Sequence, residues 1–129
     1  MKKIIIVSGP VIVEDKKVLL DIQGDDDFWK FCGGKTREGE DLKQTAIRRA
    51  KEELGIEIEI INENPFLMYI GGDGKEKPDV LLVHWLAKKN GESKASGEVK
   101  KVDWLDVNDL PENIGSNIKP ALKHFGFIN

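Results

Sequence analysis

The stretch of sequence that decides the fold runs from residue 33 to residue 56 and reads GGKTREGEDLKQTAIRRAKEELGI. Asp41 is a favourable N-cap residue, and Gln44 three positions later completes a variant of the capping box. Gly55 stands where many helices end in a left-handed residue. Between these two ends, apolar residues recur at helical spacing, at Leu42, Ala46, Ile47, Ala50 and Leu54. These signals predict a helix over residues 41–54.

The polar face of this helix carries charged residues that have two interpretations. On a helical wheel Glu53 borders the apolar arc, Glu52 lies further towards solvent, and Arg49 lies between them in angle. The glycine pair at 33–34 lets the backbone approach closely, so carboxylates and a loop carbonyl would offer the hard oxygen ligands that Mg²⁺ prefers. The alternative is a solvated helix face held by ordinary i,i+4 ion pairs.

Taken with their spacing, these residues resemble the Nudix box, Gly-x5-Glu-x7-Arg-Glu-U-x-Glu-Glu-x-Gly-U, in which U is aliphatic. The positions that match at every required spacing are Gly34, Glu40, Arg48, Glu52, Glu53, Gly55 and Ile56. The lead-in WKFCGGK at 29–35 is similar to the family's Trp-x-Phe-Pro-Gly-Gly-Lys, with Cys32 in place of the proline. The resemblance spans nearly the whole chain. It implies an α/β fold in which a mixed β-sheet is sandwiched between helices (α/β/α), as a single Nudix domain over residues 1–129.

The resemblance also implies roles for particular residues. Glu52 and Glu53 would bind a divalent metal, Mg²⁺ or alternatively Mn²⁺, with the Gly34 carbonyl as a further ligand. Arg48 and Glu40 would orient those carboxylates. The family's reaction is hydrolysis of a pyrophosphate bond by a metal-activated water.

Three further positions are candidates with a weaker basis. Glu98 matches a region where many members supply another carboxylate as metal ligand or base, and the alternative is a solvated loop glutamate. Asn117 lies in the segment from which some relatives recognise a purine. Lys35, next to the glycine pair, is a candidate contact for substrate phosphates.

One departure from the box bears on activity. Position 49 is Arg where the family has a glutamate that is often a metal ligand or the general base. Arg49 would either neutralise Glu52 and Glu53 and weaken metal binding, or reach a substrate phosphate oxygen. Some members take their base from a loop instead, so the replacement does not by itself exclude activity.

Outside the box, β-branched and alternating runs predict the strands. They cover residues 4–7 and 11–13, as one bent strand or two short ones, and then 18–22, 28–31, 56–61, 65–70, 80–87 and 99–105. The polar residues 14–17 predict a hairpin turn, and residues 118–125 predict a short helix closed by Gly126. His84, Cys32 and Trp85 are interpreted as packing residues, and His124 as a surface residue.

Composition limits the partners. The net charge of −3 argues against a nucleic-acid partner, and no apolar run reaches the length of a membrane span. The single cysteine suits a reducing cytoplasm. Together with what the family resemblance implies, this leads us to expect a cytoplasmic enzyme, monomer or homodimer, that acts on a small-molecule nucleotide.

Within that class, by analogy with relatives of the family it resembles, the GGK at 33–35 and the short length imply a nucleoside triphosphate-like substrate. The alternative is a Nudix-fold nucleotide-binding or regulatory module with weak or no hydrolase activity.

Overall fold

The computed structural model describes residues 3–129 of the 129-residue chain; residues 1 and 2, which belong to the predicted domain range, lie outside the described residues. The strands are β1 (Ile4–Val11), β2 (Val13–Glu14), β3 (Lys17–Gln23), β4 (Gly34–Lys35), β5 (Glu57–Ile60), β6 (Phe66–Ile70), β7 (Asp79–Asn90) and β8 (Val99–Asp106). The helices are α1 (Leu42–Leu54) and α2 (Ile118–His124). Neither helix is long and apolar enough to cross a membrane.

Two sheets form the centre of the molecule. In the larger sheet β1 and β7 pair in parallel along the full length of β1, β4 pairs antiparallel with β1, and β5 and β6 pair antiparallel with β7. In the smaller sheet β3 lies between β2 and β8, and both pairings are antiparallel. The mixture of parallel and antiparallel pairs confirms the predicted mixed sheet.

The first strands settle the choice that the sequence left open. β1 continues through Gly9 and Pro10 as one strand, because the short neighbour β4 pairs only with Val7 and Ser8 and needs no amide proton from Pro10. The predicted hairpin at 14–17 is confirmed. Its two central residues, Asp15 and Lys16, both have positive φ angles (49° and 63°), the geometry of a tight turn that matches the twist of the strands.

Two hydrophobic clusters place one helix on each face of the sheets. One cluster packs Ala46, Ala50 and Leu54 of α1 against inward residues such as Val83 and Trp85 of β7. The other packs Ile118, Ala121 and Leu122 of α2 against Val11, Val18 and Leu20, which are strand residues that do not belong to the first cluster. Because successive strand residues point to opposite faces, the sheets are covered on both sides. The predicted α/β/α layering is confirmed.

The predicted strand at 28–31 is wrong. Trp29 and Lys30 each make only an isolated bridge, to Ile114 and Asp21 respectively. The segment instead runs across the sheet edge as a connection, and the pairing passes to β4, a two-residue strand that the sequence did not indicate. This connection delivers the glycine pair at 33–34 to the side of α1.

Candidate active site

α1 begins and ends as its sequence signals predict, which fixes the register of its polar face. The Asp41 side chain accepts a hydrogen bond from the Gln44 backbone at 2.8 Å, and the Gln44 side chain accepts one from the Asp41 backbone at 2.9 Å. Gly55 follows with φ of 65° and its amide donates to Lys51 O. Glu52 and Glu53 therefore occupy the last turn of a fixed helix.

The polar face of α1 borders a cleft of about 1160 Å³. The candidate residues that line it are Gly34, Lys35, Arg48, Arg49, Glu52, Glu53, Glu98 and Asn117. Of the candidates taken from the sequence, only Glu40 does not reach the cleft lining.

Glu40 acts behind the cleft by holding Arg48. The Glu40 carboxylate accepts from Arg48 Nε at 2.6 Å and from Arg48 Nη2 at 3.0 Å, a two-pronged ion pair. Arg48 Nη1 also donates to Glu52 Oε1 at 2.9 Å, and Nη2 donates to the carbonyl of Lys35 at 3.0 Å. The hydrogen bonds from Arg48 lower the pKa of Glu40 to about 2 and also lower the pKa of Glu52. Arg48 thus ties the loop before α1 to a Glu52 that stays ionised.

Glu53 is buried in a different environment from Glu52. Its side chain is 3% exposed, and its Oε1 accepts from the backbone amide of Gly33 at 3.1 Å and from Cys32 Sγ at 3.5 Å. Burial raises the pKa of Glu53 above its ordinary value, while the nearby Arg49 and the Gly33 amide act in the opposite direction. The predicted contrast between a bordering Glu53 and a solvent-facing Glu52 is confirmed.

The bond from Gly33 depends on a close approach between β1 and the glycine loop. A Cβ atom on Gly9 would lie 1.9 Å from the carbonyl oxygen of Cys32 and 2.7 Å from Cα of Gly33. Only glycine fits at position 9 without moving the loop. This contact presses the loop against the last turn of α1, where it meets Glu53.

Arg49 lies between the two glutamates and the glycine loop. Its Nη1 donates to Glu52 Oε2 at 3.0 Å, and its Nη2 lies 3.3 Å from Glu53 Oε2. A Cβ built on Gly34 would be 2.3 Å from Arg49 Nε, so the guanidinium lies directly against the Gly34 backbone. The arginine therefore stands among the three groups that the family resemblance assigns to the metal.

The oxygen groups at this place are of the kind that a hard divalent cation binds, and both carboxylates are paired with Arg49. Glu53 Oε2 is buried and makes no hydrogen bond within residues 3–129, so it has lone pairs to offer. Glu52 Oε2 accepts a hydrogen bond from Arg49 Nη1 at 3.0 Å. Over the same residues, no group of three or more His, Cys, Asp and Glu side chains is arranged to hold a metal ion. The chain thus offers two carboxylates and a backbone carbonyl, with a guanidinium among them.

The other candidates lie around the same cleft. Glu98 is exposed and borders the opening, just before β8. Lys35 is exposed on the same side as Arg48, whose Nη2 holds its carbonyl. Asn117 is nearly buried at the start of α2 and lines the cleft without capping that helix. The fold brings all three to one opening.

Two ring side chains also line the cleft. Phe31 and His84 pack against each other with ring centroids 4.8 Å apart at a tilt of 44°, and both line the cleft with Asn117. Burial lowers the pKa of His84 to about 4, so its ring is neutral at physiological pH. His84 Nδ1 is buried and has no hydrogen-bond partner in the described part of the chain. His84 is a packed residue as predicted, but it also faces the site.

The sequence reasoning missed Asp21 as a member of this region. Asp21 is 1% exposed on β3, and burial, followed by the charge of Glu53, raises its pKa to about 7. A carboxylate inside the apolar run VLLDI was the available signal. The other packing interpretations are confirmed: Cys32 and Trp85 are buried, and His124 is exposed.

Comparisons with known proteins agree with this geometry. The chain is 30% identical over 110 residues to an uncharacterised Nudix hydrolase of Bacillus subtilis, covering 81% of this chain and 67% of that protein. It is 41% identical over 111 residues to a Xenopus laevis protein named nucleoside diphosphate-linked moiety X motif 6, covering 81% of this chain but only 50% of that one. The chain thus spans half to two thirds of the length of these two relatives.

The fold has close counterparts among solved structures. The crystal structure of a MutT Nudix hydrolase from Burkholderia pseudomallei superposes with a TM-score of 0.79 at 23% identity, covering 95% of this chain and 98% of that one. At that identity the likeness is one of fold. The family model described as NUDIX domain matches residues 3–125. Because that match spans nearly the whole chain, the chain belongs to the Nudix hydrolase family.

Proposed function

We propose that this protein is a Mg²⁺-dependent pyrophosphohydrolase that cleaves a nucleoside diphosphate linked to another group, with a nucleoside triphosphate-like substrate favoured. The observation that carries the proposal is the concentration of basic side chains at the cleft. Five basic side chains line it, Lys30, Lys35, Arg37, Arg48 and Arg49, beside three acidic ones, Glu52, Glu53 and Glu98. The whole chain has a net charge of −3, so this gathering of basic groups at one opening suits a polyphosphate.

The lining of the cleft offers contacts for both parts of a nucleotide. The phosphates would lie against the basic side chains near the glycine loop, with Lys35 and Arg49 as contacts. The nucleobase would lie against the part of the lining that Phe31 and His84 form, with the Asn117 amide as a hydrogen-bonding partner. The volume of about 1160 Å³ accommodates a whole nucleotide.

The residues of the chain would divide the catalytic work as follows. Glu52 and Glu53, with the Gly34 carbonyl and Glu98 as further oxygen groups, would hold Mg²⁺ or Mn²⁺. Such a metal would neutralise phosphate oxygens and lower the pKa of an attacking water. Glu98 is the proposed base, because it is exposed at the opening and because the helix carries Arg at position 49. Arg48 and Glu40 would keep Glu52 ionised and oriented.

We also propose that residues 1–129 form one Nudix domain acting in the cytoplasm. The family match over residues 3–125 supports the first part. The one cysteine, Cys32, is free and buried, which is compatible with a reducing compartment.

One observation favours the alternative of a nucleotide-binding module with weak or no turnover. The Arg49 guanidinium is paired with both box glutamates, the residues that hydrolysis would require for the metal. The two functions differ in turnover and share nucleotide binding.

The test is a panel of nucleoside triphosphates and nucleoside diphosphate derivatives, assayed for phosphate and pyrophosphate release with Mg²⁺ and with EDTA. We expect Mg²⁺-dependent release with the wild type and with Glu59→Gln, a control that removes an exposed glutamate of β5. Glu53→Gln should lose this Mg²⁺-dependent release. Binding of a nucleotide without release from any member of the panel would favour the module.

A further inference from the structure

We propose that Arg49 is a tethered cation that occupies the metal position in the nucleotide-free protein, so that phosphate binding raises the affinity of the site for metal. The inference rests on the proposed function for the assignment of the metal position. It adds a coupling between phosphate and metal, and it concerns a residue at which this chain differs from the box of its family.

The first support is the position of the guanidinium. It makes a hydrogen bond to Glu52 Oε2, lies 3.3 Å from Glu53 Oε2, and rests on the backbone of Gly34. A divalent ion that used these same groups would have to lie where Arg49 now lies. The carboxylates also have their charge neutralised by the arginine, which reduces their attraction for a second cation.

The second support is that the guanidinium is held incompletely. Arg49 Nε is buried and has no hydrogen-bond partner, and Glu53 Oε2 has none either, within residues 3–129. The contact between Arg49 Nη2 and Glu53 Oε2 is therefore an ion pair at 3.3 Å without hydrogen-bond geometry, and the buried Nε donor is left unsatisfied, which is unfavourable for this arrangement. A ligand that accepted a hydrogen bond from Nε would be favoured over the present pairing.

The third support is that the Arg49 side chain borders open space into which it can move. The Arg49 side chain is 25% exposed and lines the cleft beside Lys35 and Arg37. A phosphate oxygen in the cleft would accept from the guanidinium, whose fork of donors matches phosphate. Movement of Arg49 towards that phosphate would release Glu53 Oε2 and Glu52 Oε2 for a metal.

These steps couple the two ligands. Phosphate would raise the affinity for the metal by withdrawing Arg49, and by linkage the metal would raise the affinity for phosphate by the same factor. In the free protein, competition with Arg49 would keep metal affinity low. In the absence of metal, Arg49 would still bind phosphate.

The test measures two binding equilibria, neither of which depends on turnover. In the first, Mn²⁺ binding to nucleotide-free protein is followed by electron paramagnetic resonance for the wild type, Arg49→Gln and Lys51→Gln. Lys51 is the matched control, because it is a cation on the same helix, exposed and paired with Glu57 outside the cleft. We expect Arg49→Gln to bind Mn²⁺ at least about ten-fold more tightly than wild type, the size of one hydrogen bond to a charged group. Lys51→Gln should match the wild type.

In the second measurement, a non-hydrolysable nucleoside triphosphate analogue is titrated calorimetrically in EDTA. Arg49→Gln should weaken this metal-free binding by at least about ten-fold, and Lys51→Gln should not. Arg49→Lys keeps the charge but not the forked set of donors, so its affinities should lie between those of wild type and Arg49→Gln in both titrations. It also provides a second variant if Arg49→Gln fails to fold.

Equal Mn²⁺ affinity in wild type and Arg49→Gln would overturn the proposal, as would metal-free nucleotide binding that is unchanged in Arg49→Gln. Either result leaves the proposed hydrolysis standing if the wild type releases phosphate with Mg²⁺. Conversely, both expected changes in affinity without any turnover would support the role of Arg49 as a tethered cation and would contradict the proposed hydrolase function.

Discussion

The buried carboxyl of Asp21 gives a stability prediction whose sign follows from its pKa. The pKa is raised from 3.8 to about 7 in the folded protein, mainly by burial and then by the charge of Glu53. The folded state therefore favours the neutral acid. Below pH 3.8 the Asp21 carboxyl is protonated in both the folded and the unfolded state. Above that pH the carboxyl ionises first in the unfolded state. We predict that its contribution to stability is full at low pH, is lost progressively from about pH 4 to pH 7, and then stays constant.

The size of this loss follows from the two pKa values. A difference between 3.8 and about 7 corresponds to about 4 kcal/mol at roughly 1.4 kcal/mol per pH unit. Asp21→Asn removes the ionisation but leaves a buried amide. Asp21 Oδ1 accepts from Gln23 Nε2 at 3.2 Å, and Oδ2 has no partner within residues 3–129, so the new NH₂ group costs about 1–3 kcal/mol. That cost does not depend on pH.

The assay is urea unfolding of wild type and Asp21→Asn, followed by tryptophan fluorescence at about pH 4.5, about pH 6 and about pH 8, which bracket the titration. The variant should be slightly less stable at the lowest pH and about 1–3 kcal/mol more stable at the highest. The difference in unfolding free energy should rise steadily between them. A difference that does not change with pH would refute the burial argument for Asp21.

Three further substitutions test the site and its support. Glu53→Gln should lower Mg²⁺-dependent turnover at least about ten-fold with an unchanged circular dichroism spectrum, because it removes the charge but keeps an acceptor for the Gly33 amide; unchanged turnover would remove Glu53 from the metal site. Glu98→Gln should lower kcat by about a hundred-fold, the low end of general-base contributions, and wild-type kinetics would return Glu98 to a solvated loop residue. Gly9→Ala should lower the free energy of unfolding by about 1–3 kcal/mol or more, because its Cβ would lie 1.9 Å from Cys32 O. Denaturant midpoints equal to those of wild type would contradict that packing.

Local signals in the sequence predicted the parts of the fold that depend on neighbouring residues. The capping box at Asp41 and Gln44 and the left-handed Gly55 delimit α1, and each acts within a few residues of its position. The Asp15-Lys16 turn is similarly local. The spacing of the box predicted which side chains would share the polar face of α1, since a helix fixes those angles.

The features that the sequence did not predict depend on contacts between distant segments. β4 exists because Val7 and Ser8 of β1 meet Lys35 and Gly34, and its two residues carry no strand pattern of their own. Residues 28–31 have strand-forming side chains but make only two isolated bridges, so aromatic composition misled the prediction. The apolar run around Asp21 signals burial, but the charge of Glu53 that further raises its pKa comes from a distant segment.

For Arg49, too, the sequence predicted the local contacts but not the contact with a distant segment. The sequence placed it within reach of Glu52 and Glu53 on the helix, and both ion pairs are present. The contact with Gly34 could not be foreseen, because it depends on how the glycine loop is pressed against α1 by β1.

The most direct test of the central claim is a phosphorus-31 NMR time course of wild-type protein with Mg²⁺ and a mixture of nucleoside triphosphates, run beside Glu53→Gln. We predict that wild type converts at least one nucleotide to the nucleoside monophosphate and pyrophosphate, that EDTA stops the conversion, and that Glu53→Gln slows it at least about ten-fold. Conversion at equal rates by wild type and Glu53→Gln would contradict the assignment of the reaction to this cleft. Unchanged nucleotide spectra for every nucleoside triphosphate and diphosphate derivative, from a protein that binds nucleotide, would contradict the hydrolase itself.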